Sequence, residues 1–164
     1  METPPCNGVQ EFCEVDASAL ITWVEAIPFE DWPQQHRVHP DHIRPAMANV
    51  LSWHGFGRET DSIVASLMRR GLDRFGPSTN NRMLSVVMPG EGIEPHSDNP
   101  GPPWRVRVHV PLTTNDKAVF LVEGVAYHME VGRAYLVNVR QRHEIQNDGL
   151  TPRIHFMFDV VSFD

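Results

Sequence analysis

The chain has 164 residues, a 41% apolar share and a formal net charge of -7. That length fits one domain with a real core, since single domains commonly run to roughly 100–200 residues. The acidic balance argues against a nucleic-acid partner, because phosphate backbones require a basic face and the densest basic run here is Arg69-Arg70.

The N-terminal stretch METPPCNGVQEF has neither the basic nor the apolar segment of a signal peptide. No apolar run approaches the roughly 18–20 residues that span a bilayer. Cys6 and Cys13 lack zinc-type spacing and read as two free thiols. The expectation is a cytoplasmic protein without a membrane segment.

In chain order, Pro4, Pro5 and Gly8 leave residues 1–15 as a loose arm or an edge strand. Asp16 to Ile27 reads as a helix capped by Asp16, with Leu20, Trp23, Val24 and Ile27 on one packed face. Pro28 ends it. Residues 28–59 read as irregular, with one turn of helix around Ala46 to Val50, and Trp32 as packing. Asp61 to Phe75 reads as a second helix, with Ile63, Leu67 and Arg70/Gly71 on one face and Gly76-Pro77 closing it. From Arg82 the character changes. Six runs rich in β-branched and aromatic residues (MLSVVMPG, WRVRVHVPL, KAVFLVEG, VAYHMEV, RAYLVNV, RIHFMFDVVSF) alternate with Gly, Pro, Asn and Asp turn signals. The fold class is mainly β, an antiparallel sandwich or barrel with the N-terminal helices packed outside. One domain is expected over 1–164, with a helical and irregular layer at 1–80 and a β core at 81–164.

The chemistry concentrates in EPHSDNPGPPWRVRVHVPL, residues 94–112. A non-haem Fe(II) oxygenase site needs two imidazoles and one carboxylate, with other coordination positions open. His96 and Asp98 sit two apart and so share a side of an extended chain. His143 lies 47 residues downstream, just past an apolar strand. A second His-x-Asp, His39-Pro40-Asp41, lies in a Pro-rich stretch and reads as a turn or helix cap. His36, His42, His54, His128 and His155 read as surface or packed histidines.

Arg105, Arg107 and His109 alternate on one face of the strand that follows. Such a face is either an exposed polar side of a sheet or, next to a metal loop, a cationic wall inside the barrel. Arg153 begins the last strand, ten residues after His143, and offers a planar fork to a carboxylate. An Fe(II) centre fed by a 2-oxo acid accounts for both groups. Substrate candidates are fewer. The loop Asn99 to Trp104 would border the metal, Arg105 shares the cationic face, and Arg58 is either a pocket contact or a solvated charge. Trp53 and Phe56 are either packing or pocket, and Asn80, Asn81 and Arg82 stand beside them.

Taken together these residues resemble the aspartyl/asparaginyl β-hydroxylases over roughly Arg82 to Val161. The carriers are Ser85 eleven residues before His96, the Pro95-His96 entry, Arg105-x-Arg107-x-His109, the Gly-Arg-Ala-Tyr-Leu-Val strand, and His143 with Arg153 ten residues on. The resemblance implies a double-stranded β-helix, the cupin-like jelly roll, and an Fe(II)- and 2-oxoglutarate-dependent dioxygenase using O2. By it His96 and His143 ligate iron. Arg153, helped by Ser85, clamps the distal carboxylate of 2-oxoglutarate, and Arg107 and His109 contact its metal-proximal carboxylate. No protein acid or base is implied beyond the metal ligands. The animal hydroxylases have Gly where this chain has Asp98, so a full triad is available here, which argues against a halogenase. The loop after His96 is also about two residues longer than theirs. The expected substrate is a small molecule, an amino acid or a derivative. The alternatives are a peptidyl Asp or Asn side chain and a non-catalytic β-barrel that binds metal and carboxylate. A different cupin-like enzyme, an isomerase or a thiol dioxygenase, is the remaining reading.

Overall fold

The computed structural model describes residues 5–28, 46–48, 57–101 and 103–162. Two antiparallel sheets carry the strands. A six-stranded sheet runs β1-β8-β5-β10-β3-β2, and a four-stranded sheet runs β4-β9-β6-β7. In chain order these are β1 (Val9–Glu14), β2 (Ala46–Ala48), β3 (Ser78–Val87), β4 (Gly92–His96), β5 (Trp104–Thr113), β6 (Ala118–Val122), β7 (Val125–Tyr127), β8 (Arg133–Val137), β9 (His143–Asn147) and β10 (Arg153–Val161). This is a cupin-like jelly roll, with two helices, α1 (Ser18–Glu25) and α2 (Gly57–Arg69), packed against the larger sheet. Among the described residues no helix is long and apolar enough to cross a membrane.

The two-residue period of a strand sorts side chains between two cores. The outer core joins helix to sheet. Leu20 and Val24 of α1 and Ile63, Val64 and Leu67 of α2 meet Val106, Val108 and Val110 of β5 and Phe156, Phe158 and Val160 of β10. The inner core lies between the sheets, where Tyr135 and Val137 of β8 meet Phe120, Val122 and Ile145. Each large apolar side chain buried this way contributes roughly 1.5–3 kcal/mol. β10 is buried on both faces, so its inner-face residues Arg153, His155, Met157 and Asp159 are enclosed whatever their polarity. That enclosure creates the site.

The N-terminal layer departs from expectation in several places. The edge strand before residue 15 is β1, paired with β8. The N-cap of α1 is Ala17 and not Asp16, with no side-chain cap; Asp16 lies one residue earlier and accepts the Ser18 N–H at 2.9 Å. Trp23, expected to pack, is 42% exposed. Leu20 and Val24, four apart, define the buried stripe and place Trp23 on its flank. Ala46–Ala48 is not a helical turn but β2, because the edge of β3 offers it a hydrogen-bonded partner; pairing overrides the helix propensity of Ala. The second helix starts at Gly57, earlier than Asp61, and stops at Arg69. Gly71, at φ 100°, then turns the chain into a separate 3-10 turn, Leu72–Phe75. Gly76 needs both its φ of 125° and its missing side chain, since a Cβ there would lie 1.9 Å from the Val161 carbonyl oxygen. Trp32, His36, the His39-Pro40-Asp41 motif, His42, Trp53, His54 and Phe56 fall outside the described residues.

Candidate metal centre and its cavity

A cavity of about 390 Å³ opens between the sheets. At one end stand His96, Asp98 and His143. β4 and β9 pair so that His96 lies opposite His143, with ring centroids 4.3 Å apart. Asp98 sits in the loop after β4, where its N–H donates to the Val139 carbonyl at 2.9 Å. One ligand atom from each of the three lies within 4.8 Å of the others.

The outer nitrogens of both rings are already occupied. His96 Nδ1 lies 2.7 Å from the Glu94 carbonyl oxygen, and His143 Nδ1 lies 2.8 Å from that of Gln141. A carbonyl only accepts, so Nδ1 is the donor in each ring, and in a neutral ring the lone pair is on Nε2, facing inward. His96 Nε2 is 3.6 Å from Asp98 Oδ1. The other oxygen, Oδ2, accepts from Arg107 Nη1 at 2.6 Å. Burial pushes the His143 imidazole down from its ordinary pKa; its Gln141 hydrogen bond opposes this and neighbouring His96 adds to it. The ring is therefore neutral near pH 7, the form that ligates metal. Phe120 stacks on it at 5.5 Å. Two imidazoles and one carboxylate with room around them are the donor set of non-haem Fe(II) oxygenases.

The opposite end is built on β10, β5 and β3. Their register sets His155 beside Ser85 and Met157 beside His109. Ser85, His109, Phe120 and Met157 line the open space. Arg153 stands behind them, 2% exposed, with its guanidinium carbon 5.9 Å from the centre of the Phe120 ring. Its Nη2 donates to His155 Nδ1 at 2.9 Å, and that atom lies 3.3 Å from His109 Nδ1. Burial lowers the Arg153 guanidinium to about 9. It also holds His109 and His155 well below their ordinary values, with Arg153 adding to both.

Four buried atoms here have no hydrogen-bond partner: Ser85 Oγ, His109 Nε2, Arg153 Nη1 and His155 Nε2. Because Arg153 donates to His155 Nδ1, the proton of that ring lies on Nε2, an unanswered donor. Buried unpaired polar atoms are rare and each costs about 1–3 kcal/mol. By the same logic His109 Nδ1, which faces the His155 Nδ1 lone pair, carries its ring's proton and leaves His109 Nε2 an acceptor. The other three atoms, Ser85 Oγ, Arg153 Nη1 and His155 Nε2, can donate and match an acceptor-rich anion such as a carboxylate. The residues present thus fit both a divalent metal and a carboxylate cosubstrate.

Arg107 also lines the cavity. Its Nε and Nη2 bind the two oxygens of Asp159 at 2.8 and 3.0 Å, and its Nη1 binds Asp98. One N–H on Nη1 and one on Nη2 are left over. The expected substrate contacts lie elsewhere. Trp104 is 5% exposed and donates to Asp159 at 3.2 Å. Arg140 packs over its ring at 4.9 Å and reaches the Pro100 carbonyl at 3.4 Å. Asn99 and Arg58 are exposed and Arg105 is half-buried; none of these three, nor Trp104, is among the cavity-lining residues. Arg82 turns to α2, where it meets Thr60 and Asp61, each at 2.6 Å. The rim is instead formed by Ile93, Glu94 and Pro95. His128 meets the Ala118 carbonyl at 3.3 Å.

Sequence reasoning missed Phe120, Met157, His155 and Asp159. A usable signal existed for three of them. Arg153-x-His155-x-Met157-x-Asp159 alternates with Ile154, Phe156, Phe158 and Val160, the same polar-and-apolar division that drew notice in β5.

A family model described as aspartyl/asparaginyl beta-hydroxylase matches residues 58–162, well over half of the chain. No curated protein sequence matches. Among solved structures, a prolyl hydroxylase from Trichoplax adhaerens, in complex with a hypoxia inducible factor peptide fragment, is similar at 17% identity. It covers 94% of this chain and 84% of its own, with a TM-score of 0.62. A prolyl-4-hydroxylase from Pseudomonas putida is similar at 13% identity, covering 94% and 93%, with a TM-score of 0.61. An oxidoreductase of the 2OG-Fe(II) oxygenase family from Burkholderia pseudomallei is similar at 18% identity over 63% of this chain, with a TM-score of 0.51. The present chain spans 56% of that protein's length. At such identities these likenesses concern the fold. The family match is the stronger statement, since it spans every strand that supplies the two ends of the cavity: the chain belongs to the aspartyl/asparaginyl β-hydroxylase family of Fe(II)- and 2-oxoglutarate-dependent oxygenases.

Proposed function

We propose that this protein hydroxylates an unactivated C–H bond of a free amino acid or an amino-acid-like small molecule, using Fe(II), 2-oxoglutarate and O2. The observation that carries the reading is the pairing of two incomplete ends in one cavity. One is the two-imidazole and carboxylate triad, and the other is the cluster of unpaired polar atoms around Arg153.

His96 Nε2, His143 Nε2 and Asp98 Oδ1 would hold the metal. Arg153 would take the distal carboxylate of the cosubstrate, with Ser85 at its side and His155 adding a donor there, while His109 lines the space beside them. Arg107 would offer its remaining N–H groups to the metal-proximal carboxylate. When bound, Fe(II) and 2-oxoglutarate supply the oxidation, in which one oxygen atom of O2 becomes the new hydroxyl and the other leaves in succinate as CO2 is released. The chain supplies position and dryness: Phe120, Val139, Ile145 and Met157 line the space and exclude water. No side chain needs to act as acid or base. A cavity of this size leaves modest room beside the cosubstrate, which favours a small substrate. The family match favours a second reading, a peptidyl Asp or Asn side chain entering past the exposed Glu94 and Pro95. Asn99, Trp104, Arg105 and Arg58 could then contribute only outside the cavity. Free thiols at Cys6 and Cys13 support a reducing, cytoplasmic setting.

The test is anaerobic. Fe(II) and then 2-oxoglutarate are added to the metal-free protein, and the weak visible charge-transfer band of a chelated 2-oxo acid is sought. The band should appear, and should decay on admitting O2 with succinate formed. Iron binding without a band would instead favour a non-catalytic metal and carboxylate binder. Panels of free amino acids and of Asp- or Asn-containing peptides, scored by coupled hydroxylation, separate the two substrates.

A further inference from the structure

The three candidate ligands are not oriented by the same means. His96 and His143 are each fixed by a backbone carbonyl. Asp98 lies in a loop, with 31% of its side chain exposed, and its carboxylate is gripped by a side chain, Arg107. The aim of Asp98 therefore depends on the aim of Arg107.

Arg107 is held by Asp159. The two face each other across the β5–β10 pairing, and the contact is a two-point fork in which Nε and Nη2 meet separate oxygens. Both side chains are almost fully buried, at 12% and 9% exposure. The Trp104 indole fixes Asp159 in turn. The fork has a chemical consequence. A guanidinium left to itself pairs with a carboxylate through two parallel N–H···O bonds. Asp159 holds the Nε–Nη2 edge and so fixes the plane of the guanidinium; in that pose only Nη1 reaches Asp98. It therefore binds Oδ2 alone, and Oδ1 stays free beside His96 Nε2.

We propose that Asp159 is a positioning residue for the metal centre: by fixing the guanidinium pose of Arg107 it holds that arginine on a single oxygen of Asp98 and keeps the other available as a ligand. This rests on reading His96, Asp98 and His143 as the metal site. Without the Asp159 carboxylate, Arg107 has one anionic partner left. It swings to pair with both oxygens of Asp98, and the metal must compete with it. Outer partners of metal ligands typically govern affinity by about 10–100-fold.

The experiment measures Ni(II) affinity by calorimetry on metal-free protein, since Ni(II) is stable in air and binds nitrogen and oxygen donors tightly enough to follow weakened sites. Asp159→Asn should weaken Ni(II) binding by about 10–100-fold. In an Asp98→Ala background the same substitution should change affinity by less than about 2-fold, because the carboxylate through which it acts is gone. Equal losses in both backgrounds would make Asp159 a general structural residue and overturn the proposal, as would no loss in the parent background. Should Asp159→Asn fail to fold, Arg107→Lys carries the test. A lysine keeps the charge but lacks the planar fork that locks onto both Asp159 oxygens while reaching Asp98, so the same loss, again dependent on Asp98, is expected, and its absence overturns the role. The underlying site reading is checked separately. If the parent does not bind Ni(II), or His143→Ala binds it as tightly as the parent, both the site and this role fall together.

Discussion

The two ends of the cavity are finished to different degrees. At the metal end the outer polar atoms of the ligand set are met by the protein itself: Glu94 and Gln141 carbonyls on the two rings, Arg107 on the carboxylate. Only the three inward ligand atoms are left over. At the anion end four buried polar atoms have no partner, and burial lowers the Arg153 pKa to about 9. The metal end is thus pre-organised before anything binds, whereas the anion end is energetically incomplete until an acceptor arrives. Removing side chains should therefore have opposite side effects at the two ends.

The largest expected loss is at the metal end. His143→Ala removes one of three ligands and should weaken divalent-metal binding by more than the ~10–100-fold that outer partners command. Calorimetry with Co(II) or Ni(II) checks it. Binding unchanged by this substitution would place the metal elsewhere and break the comparison at its first term.

Next comes Arg153→Met, which fills the same space with an unbranched apolar chain. Losing a buried charge that pairs with a ligand carboxylate costs roughly 2–5 kcal/mol, so the KM for 2-oxoglutarate should rise by about 30-fold or more, with metal affinity little changed. The protein without cosubstrate should melt at the same or a higher temperature, because an unmet buried cation has been removed. A clear drop in melting temperature would show that the Arg153–His155 bond holds the fold together, and the contrast between the ends would fail.

A smaller effect follows from pH. His109 and His155 are 2% and 1% exposed and are held neutral by burial, with Arg153 reinforcing it. Their folded pKa values lie below that of a free histidine, so below about pH 6.5 the unfolded chain binds the extra protons. Stability is fully present above that pH and is lost as pH falls toward the folded values, by ~1.4 kcal/mol per pH unit for each ring at the steepest. Urea unfolding of the metal-free protein between pH 7 and 5 measures the slope. Saturating 2-oxoglutarate should raise stability throughout. A flat profile would mean that the two rings are not enclosed as described.

How much of this was legible beforehand depended on whether a signal lies within one element or between two. The alternation Arg105-x-Arg107-x-His109 could be seen in β5 alone, because strand period and apolar partners occur in the same seven residues, but its inward direction came from the metal loop before it, and of the three only Arg107 and His109 line the cavity. The His96-x-Asp98 pair and the distant His143 could be read because metal chemistry restricts the donor types. The alternation in β10 marked His155 and Asp159 as sharing a face with Arg153, but not their roles, since each acquires its meaning from what pairing sets beside it: Ser85 across from His155, Arg107 across from Asp159. β2 was illegible for the same reason, as Ala46–Ala48 extends only because β3 has a free edge there. Trp104 lies apart from the cavity lining for a different reason. Its place in a Pro- and Gly-rich loop suggested the cavity mouth, but an indole buries best where its N–H has a partner, and Asp159 supplies one behind the wall.

The smallest expected effect tests the anion end most cleanly. Ser85 is 1% exposed and its hydroxyl has no partner. In a protein where that hydroxyl served the fold, Ser85→Ala would cost the hydrogen bond it made. Here no such bond exists before a ligand arrives, so the cosubstrate-free protein should keep its stability to within about 1 kcal/mol, or gain slightly. The hydroxyl would act only once a carboxylate oxygen sits beside it, and a neutral hydrogen bond is then worth about 0.5–1.5 kcal/mol. The KM for 2-oxoglutarate should therefore rise by roughly 2–12-fold, while metal affinity stays level. Succinate formation against 2-oxoglutarate concentration gives the first quantity and thermal unfolding the second. If stability falls and KM does not move, Ser85 belongs to the wall and not to the ligand, and the anion end is narrower than its four unpaired atoms suggest.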